Sequence, residues 1–279
     1  MAGGLLEENE YRFGPKNDWI IFVANTQPLR EKALKLVRDI YLGKGYALRP
    51  NRDSELWCTI HHLHPYTVTF LATKAGQAVG TVSIVPDSKL GLPADLIFPE
   101  RLAVLRNAGR RLSEIFSLSV DERIDHRTVD LTMHLYRFVH LTATCLFHNT
   151  DIVASVMAHH TDFYSKILLF DEVFPESRQS PKTGEQVLFA KMDLETMERR
   201  YAERYGRFKG KRNLHRWFFQ NEEAETMVNW IRRNRQPITA DDVDYFGARK
   251  SQALSGADSD SVAVLMEYFR KAAGPGVPE

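Results

Sequence analysis

Residues Thr150 to Phe174, TDIVASVMAHHTDFYSKILLFDEVF, decide how the rest of the chain folds. They read as strand, loop, helix, strand. A turn at His148-Asn149-Thr150 opens onto Ile152, Val153, Val156 and Met157, a short apolar run suited to a strand buried on both faces. A helix is expected at once: Thr161 offers a capping hydroxyl, Asp162 suits the first turn, and Phe163, Ile167 and Phe170 fall at i, i+4 and i+7 on one face. Tyr164 then points toward a flank.

Outward from this stretch, 279 residues exceed a typical domain of ~150, so one enlarged α/β domain with an appendage is expected. A net charge of +1 exerts no global pull toward nucleic acid or membrane and leaves only local patches to interpret. Two cysteines, Cys58 and Cys145, argue against a disulfide scaffold. MAGGLLEENEYRFG carries acids where a secretory peptide has bases, and no apolar run approaches the ~18 residues of a membrane span. A soluble cytoplasmic protein is the expectation.

Upstream, Asp18 to Ala24 reads as a strand of bulky and β-branched residues. A helix follows, with Pro28 near its start and Leu29, Ala33, Leu36, Val37, Ile40 and Tyr41 on its inner face until Gly43 and Gly45 stop it. Tyr66 to Thr73 and Gln77 to Val85 make a hairpin around Lys74-Ala75-Gly76. Pro86 to Arg110 is a polar insertion with a short helical pattern near Phe98 to Leu105. In the strand after it, alternation sets Leu112, Glu114, Phe116, Leu118 and Val120 on one face, so an acid interrupts an apolar side and needs a partner or a task. A long apolar helix, Thr128 to Phe147, carries Leu131, Leu135, Phe138, Thr142 and Cys145 on one stripe.

Cys58, His61, His62 and His64 suggest a metal, but zinc wants regularly spaced ligands with a second pair elsewhere, and the only distant thiol lies in an apolar helix. No metal is expected; these histidines read as surface or substrate-facing. Between Arg199 and Arg216 runs a basic stretch interleaved with Tyr201, Tyr205, Phe208, Trp217 and Phe218. It suits RNA, DNA or an acidic protein. Without a helix-turn-helix turn or RNA-binding motif, nucleic acid is disfavoured.

FYSKILLFDEV resembles the late helix of the GNAT acyltransferase superfamily, and MAHH resembles an Asn-Pro-Arg/Lys-His junction of its long-chain N-acyl amino acid synthases, relatives of acyl-homoserine lactone synthases. His160 matches the junction's histidine, while Ala158 and His159 depart from it. VRDIYLGKGYAL, which includes Tyr41, resembles the close of the family's first helix, which in that family overhangs the acyl tunnel. The strand motif Glu-apolar-small-Arg/Lys-Leu-x-Val is matched at Glu114 but has Ser117 in place of the base, so Arg111 or Arg123 would have to serve the substrate carboxylate. The resemblance spans roughly residues 18 to 193.

It implies a GNAT-type mixed central sheet flanked by helices over 1–193, with a helical, partly basic C-terminal extension over 194–279. It implies an enzyme joining a long-chain acyl group to an amino acid α-amine. Glu114 is then the base and Tyr164 the donor to the leaving thiolate, with Ile115, Phe116, Ser117, His160, Arg111 and Tyr41 at the substrates. The long helix and the Trp19 to Val23 strand are expected to line the acyl tunnel. No glycine occurs from Asp121 to Lys182 to bring backbone against a coenzyme A diphosphate, which favours an acyl carrier protein as donor over coenzyme A. Arg123, His126 and Arg127 remain for a single phosphate, and Arg207, Lys211 and Arg212 for docking the carrier. No bound cofactor is expected beyond the acyl thioester itself. The alternatives are a lactone-forming autoinducer synthase and a non-catalytic binding module of the same shape.

Overall fold

Alternating bulky residues and well-placed turns build one sheet, which the computed structural model describes over residues 5–14, 18–46, 48–49, 51–123, 128–173, 176–220 and 222–272. In chain order, β1 (Leu5–Leu6), β2 (Tyr11–Phe13) and β3 (Trp19–Val23) precede α1 (Gln27–Gly43). The hairpin β4 (Val68–Lys74) and β5 (Gln77–Pro86) turns through Ala75 and Gly76, both at positive φ, the two-residue geometry that matches strand twist. Then come α2 (Pro99–Asn107), β6 (Leu112–Val120), α3 (Thr128–Leu141) and β7 (Asp151–Met157). The short β8 (Glu172–Val173) and β9 (Arg178–Gln179) flank β10 (Gln186–Asp193). The chain continues through α4 (Leu194–Tyr205), α5 (Leu214–Phe219), α6 (Ala224–Asn234), α7 (Ala240–Asp242) and α8 (Ser259–Ala272). Strand order is β1-β2-β3-β4-β5-β6-β7-β10-β8, with β9 beside β10.

Every pairing is antiparallel except β6 with β7. That parallel ladder joins Leu112–Ile115 to Asp151–Ala154 and then ends, although both strands continue. The sheet therefore opens between their outer halves. On its other edge β6 carries a bulge: Thr81 pairs Ser119 and Ser83 pairs Phe116, and the extra residue is absorbed at Ser117, whose φ is +52°.

The bulge overturns the expected alternation. Leu112 and Phe116 pack with Val153 and Phe189 on one face, whereas Leu118 and Val120 join Ile115 in the main core on the other. One extra residue shifts a period-2 pattern to the opposite side. A second shift occurs after β7. The expected face of Phe163, Ile167 and Phe170 is replaced by Tyr164, Leu168 and Phe170, with Ile167 exposed. The cause is a wide helical turn over Phe163–Ile167, closed by Leu168 N–H donating to Phe163 O at 2.9 Å, which rotates the side chains relative to a 3.6-residue helix. Thr161 does not cap this helix; its hydroxyl donates to Ala158 O.

The helices after β10 complete the same core. Met197, Tyr201, Trp217, Phe218 and Trp230 are buried with Phe70, Phe138 and Ile152 of the sheet and α3. The hydroxyls of Tyr201 and Tyr205 donate to Leu168 O and Ile167 O at 2.6 and 2.7 Å, tying α4 to the turn that carries Tyr164. A separate cluster packs Ile238, Val243, Phe246 and Leu265 over Leu56, Cys58, Ile60 and Leu63. Arg30 of α1 locks that end through Asp242, 2.6 Å away in a buried ion pair, and donates to Ala24 O and Gln236 O. Among the described residues no helix is long and apolar enough to cross a membrane.

Candidate active site

The gap between β6 and β7 leads into two adjoining chambers that share Tyr41, Ile115, Phe116, Ser117, Ser155 and Met157. The larger, about 290 Å³, lies among the end of α1, the outer half of β6, the start of α3 at Val129 and Thr132, and the segment from His160 to Tyr164. The smaller, about 120 Å³, is bounded by Trp57 and Thr59, by the turn at Pro93 to Ile97, by Glu114, and by Ser180 to Thr183 before β10.

Glu114, 1 % exposed, belongs to the smaller chamber. Ala94 N–H donates to its Oε2 at 2.7 Å, and the Ser155 hydroxyl donates to Oε1 at 3.4 Å. Burial raises its pKa to about 8; the Ala94 N–H works against this, and Asp95 adds to it. Such a carboxyl is protonated at neutral pH and, once ionised, is a far stronger base than an exposed glutamate.

Tyr164 is buried at the wall of the larger chamber, and burial, reinforced by nearby Tyr41, holds its hydroxyl well above the usual range. Tyr41 borders both chambers and is pushed up to about 12 by burial, with Tyr46 adding and Ser119 opposing. Both remain protonated and able to donate. His160 stands exposed at the larger chamber's rim beside Lys44; partial burial and His159, ring centroids 4.0 Å apart, lower its pKa.

The structure thus gathers Glu114, Ile115, Phe116, Ser117, Tyr41, Tyr164 and His160 around one cleft. Arg111 is not among them: at the opposite end of β6 its guanidinium donates to His148 O at 2.7 Å. Arg123 points outward and pairs with Asp121 at 2.8 Å. His126 and Arg127 lie outside the described residues. The expected tunnel lining also differs. Trp19 to Val23 borders neither chamber, and α3 contributes only Val129 and Thr132, because its apolar stripe is spent in the core.

His61, His62 and His64 are buried rather than surface or substrate-facing, because the helices around Phe246 and α8 cover them. Burial holds His62 at about 3 and His64 at about 4, so both are neutral. The His62 ring packs 4.6 Å from Phe116, beneath the chambers. Among the described residues no set of three or more His, Cys, Asp and Glu is placed to hold a metal ion.

In the basic stretch, Arg207 and Arg212 are exposed, and Lys211 lies 3.3 Å from Asp130 in the first turn of α3, beside the larger chamber's Val129. Its aromatic neighbours Tyr201, Trp217 and Phe218 are buried, so they form no stacking platform for bases. Lys182 and Ser155 were missed by sequence reasoning. Lys182 sits in PESRQSPKTG, which shows only turn chemistry, and Ser155 occupies a strand otherwise read for its apolar residues.

A mixed sheet split between two parallel strands, with a two-chambered cleft at the split, is the frame of a GNAT-type N-acyltransferase. A family described as N-acyl amino acid synthase FeeM matches residues 32–193. The chain belongs to that family. Among solved structures, FeeM, an N-acyl amino acid synthase from uncultured soil microbes, superposes with a TM-score of 0.57 at 22% identity, over 65% of this chain and 93% of that one. An acyl-CoA N-acyltransferase from Pseudomonas aeruginosa gives 0.42 at 14%, covering 63% and 98%, and the AHL synthase LasI gives 0.44 at 14%, covering 63% and 90%. No curated protein sequence matches the chain.

Proposed function

We propose that this N-acyltransferase joins a long-chain acyl group, delivered as a thioester on an acyl carrier protein, to the α-amine of an amino acid. The observation that carries the proposal is Glu114: a buried carboxyl of raised pKa at the floor of the gap between β6 and β7, open to a chamber that adjoins a larger one. The amine attacks the thioester carbonyl where the chambers meet. Backbone N–H groups freed from the ladder by the bulge at Ser117 hold the oxyanion. Glu114, directly or through water, takes the amine proton as the C–N bond forms. The C–S bond then breaks, and the Tyr164 hydroxyl hydrogen-bonds the departing thiolate or gives it a proton, which the proton taken up by Glu114 replaces.

Two features support a carrier protein over free coenzyme A. The chain is glycine-free from Asp121 to Lys182, and a basic surface adjoins the start of α3, where the larger chamber opens. The acyl thioester is a co-substrate, and the scheme calls on no bound cofactor. Mass spectrometry of lipid extracts from cells overproducing the protein tests the proposal. A new N-acyl amino acid is expected; a lactone instead, or no new lipid, overturns it.

A further inference from the structure

The smaller chamber holds a cation that the scheme above leaves unused. Lys182 enters it, half-buried, from the turn between β9 and β10. The turn is tied at several points: Ser180 N–H donates to Glu185 O and Gly184 N–H to Ser180 O, both at 2.8 Å, and Arg49 N–H donates to the Lys182 carbonyl at 2.6 Å. A side chain on so constrained a turn is aimed by its backbone. It lines the chamber together with Glu114, and its charge also acts on Cys58, His61 and His62 behind the wall.

These neighbours offset it only in part: Glu114 and Cys58 favour the charge, but burial outweighs them and lowers the ammonium's pKa to about 8. The imidazoles are neutral, and His61 Nδ1 and His62 Nε2 have no partner among the described residues. Glu114 carries its proton at neutral pH. A partly desolvated ammonium facing a cleft without a full counter-charge is stabilised by an anion entering that cleft. Hydroxyls of Thr59, Ser155 and Thr183 line the same chamber and suit the head of a zwitterion. Sequence reasoning sought such a cation at Ser117, Arg111 and Arg123. Ser117 is uncharged, and both guanidinium groups are engaged elsewhere.

Resting on the acyl-transfer reading, we propose that Lys182 anchors the acceptor's carboxylate and so turns its α-amine toward Glu114, which makes a free α-carboxylate the feature the enzyme selects. Amines lacking it enter the same chamber but are not held. A charge-assisted contact of this kind corresponds to roughly 10- to 100-fold in affinity.

The test is steady-state kinetics with a saturating long-chain acyl carrier protein. The acceptors are the amino acid turned over fastest in a panel of twenty and the carboxamide of the same amino acid. Wild type is expected to prefer the acid by roughly 10- to 100-fold in kcat/KM. Lys182→Met should raise KM for the acid by that factor and so erase the preference, whereas any change that reaches the reaction through Glu114 falls equally on acid and carboxamide. Lys182→Arg should keep it. Lys182→Gln is measured in parallel, so that a folding defect in one neutral variant leaves the other to decide. A folded neutral variant that still prefers the acid overturns the anchor while leaving amino acid acylation standing. A wild-type enzyme that acylates no amino acid overturns both.

Discussion

Replacing Glu114 by Gln should change how stability depends on pH, and the size of the change follows from the site. Gln keeps the shape and the acceptor for Ala94 N–H but cannot ionise. In the native protein burial raises the Glu114 pKa from 4.5 to about 8. Between those values the folded chain retains a proton that the unfolded chain has released. Stability from this group is therefore complete below the unfolded pKa and is lost as pH rises through the folded one, at about 1.4 kcal/mol per pH unit. Across the window the wild type should lose roughly 5 kcal/mol relative to Glu114→Gln. Lys182 acts with the opposite sign. Burial lowers it from 10.5 to about 8, so the unfolded chain binds the extra proton above pH 8 and stability recovers there. Urea unfolding of both proteins from pH 4.5 to 10 measures the difference directly. Parallel curves for wild type and variant would refute a desolvated carboxyl at this position.

Tyr164→Phe removes one buried hydroxyl and should slow acyl transfer about ten-fold or more without weakening donor binding, as read by single-turnover rates against donor KM. Reversing Arg207, Lys211 and Arg212 to Glu should raise KM for the acyl carrier protein and flatten its salt dependence while kcat holds, because exposed rim charges act on association and are screened over ~8 Å at physiological salt. Equal effects on acyl-carrier and acyl-coenzyme A donors would reject the docking surface. Ser117→Val places a β-branched residue at φ +52° and should destabilise the fold by about 1–2 kcal/mol and slow transfer, whereas Ser117→Gly should be tolerated. Thermal denaturation and kinetics on the two variants check this.

Periodicity was sufficient for the strands around Trp19, Val68, Gln77 and Ile152 and for α1, because each buries a simple repeating face. It was insufficient where one residue breaks the repeat. Nothing about Ser117 announces a positive φ, so the side to which Leu118 and Val120 turn could not be read from β6 alone. The wide turn at Phe163–Ile167 hid its buried face for the same reason. Glu114 was legible because an acid inside an apolar strand is costly without a purpose. Lys182 was not, since a lysine in a polar turn looks solvated until β10 and the loop at Trp57 and Thr59 close around it. The buried histidines depend on the segment around Phe246, which packs on Ile60 and Leu63, and on Tyr268 against His64, about 180 to 200 positions away, which no local pattern carries.

The central claim is that Glu114, buried at the split between β6 and β7, takes the proton of the attacking amine. Its most direct test is the pH dependence of single-turnover transfer from a long-chain acyl carrier protein to an amino acid, in wild type and Glu114→Gln. With the amino acid kept saturating, so that loss of the Lys182 charge near the same pH does not limit binding, the wild-type rate should climb with pH and level off above about 8 as the carboxyl ionises. The variant should be ~10²-fold slower or more and should lack that rise. A Glu114→Gln enzyme with the wild-type rate and the same profile would contradict the account.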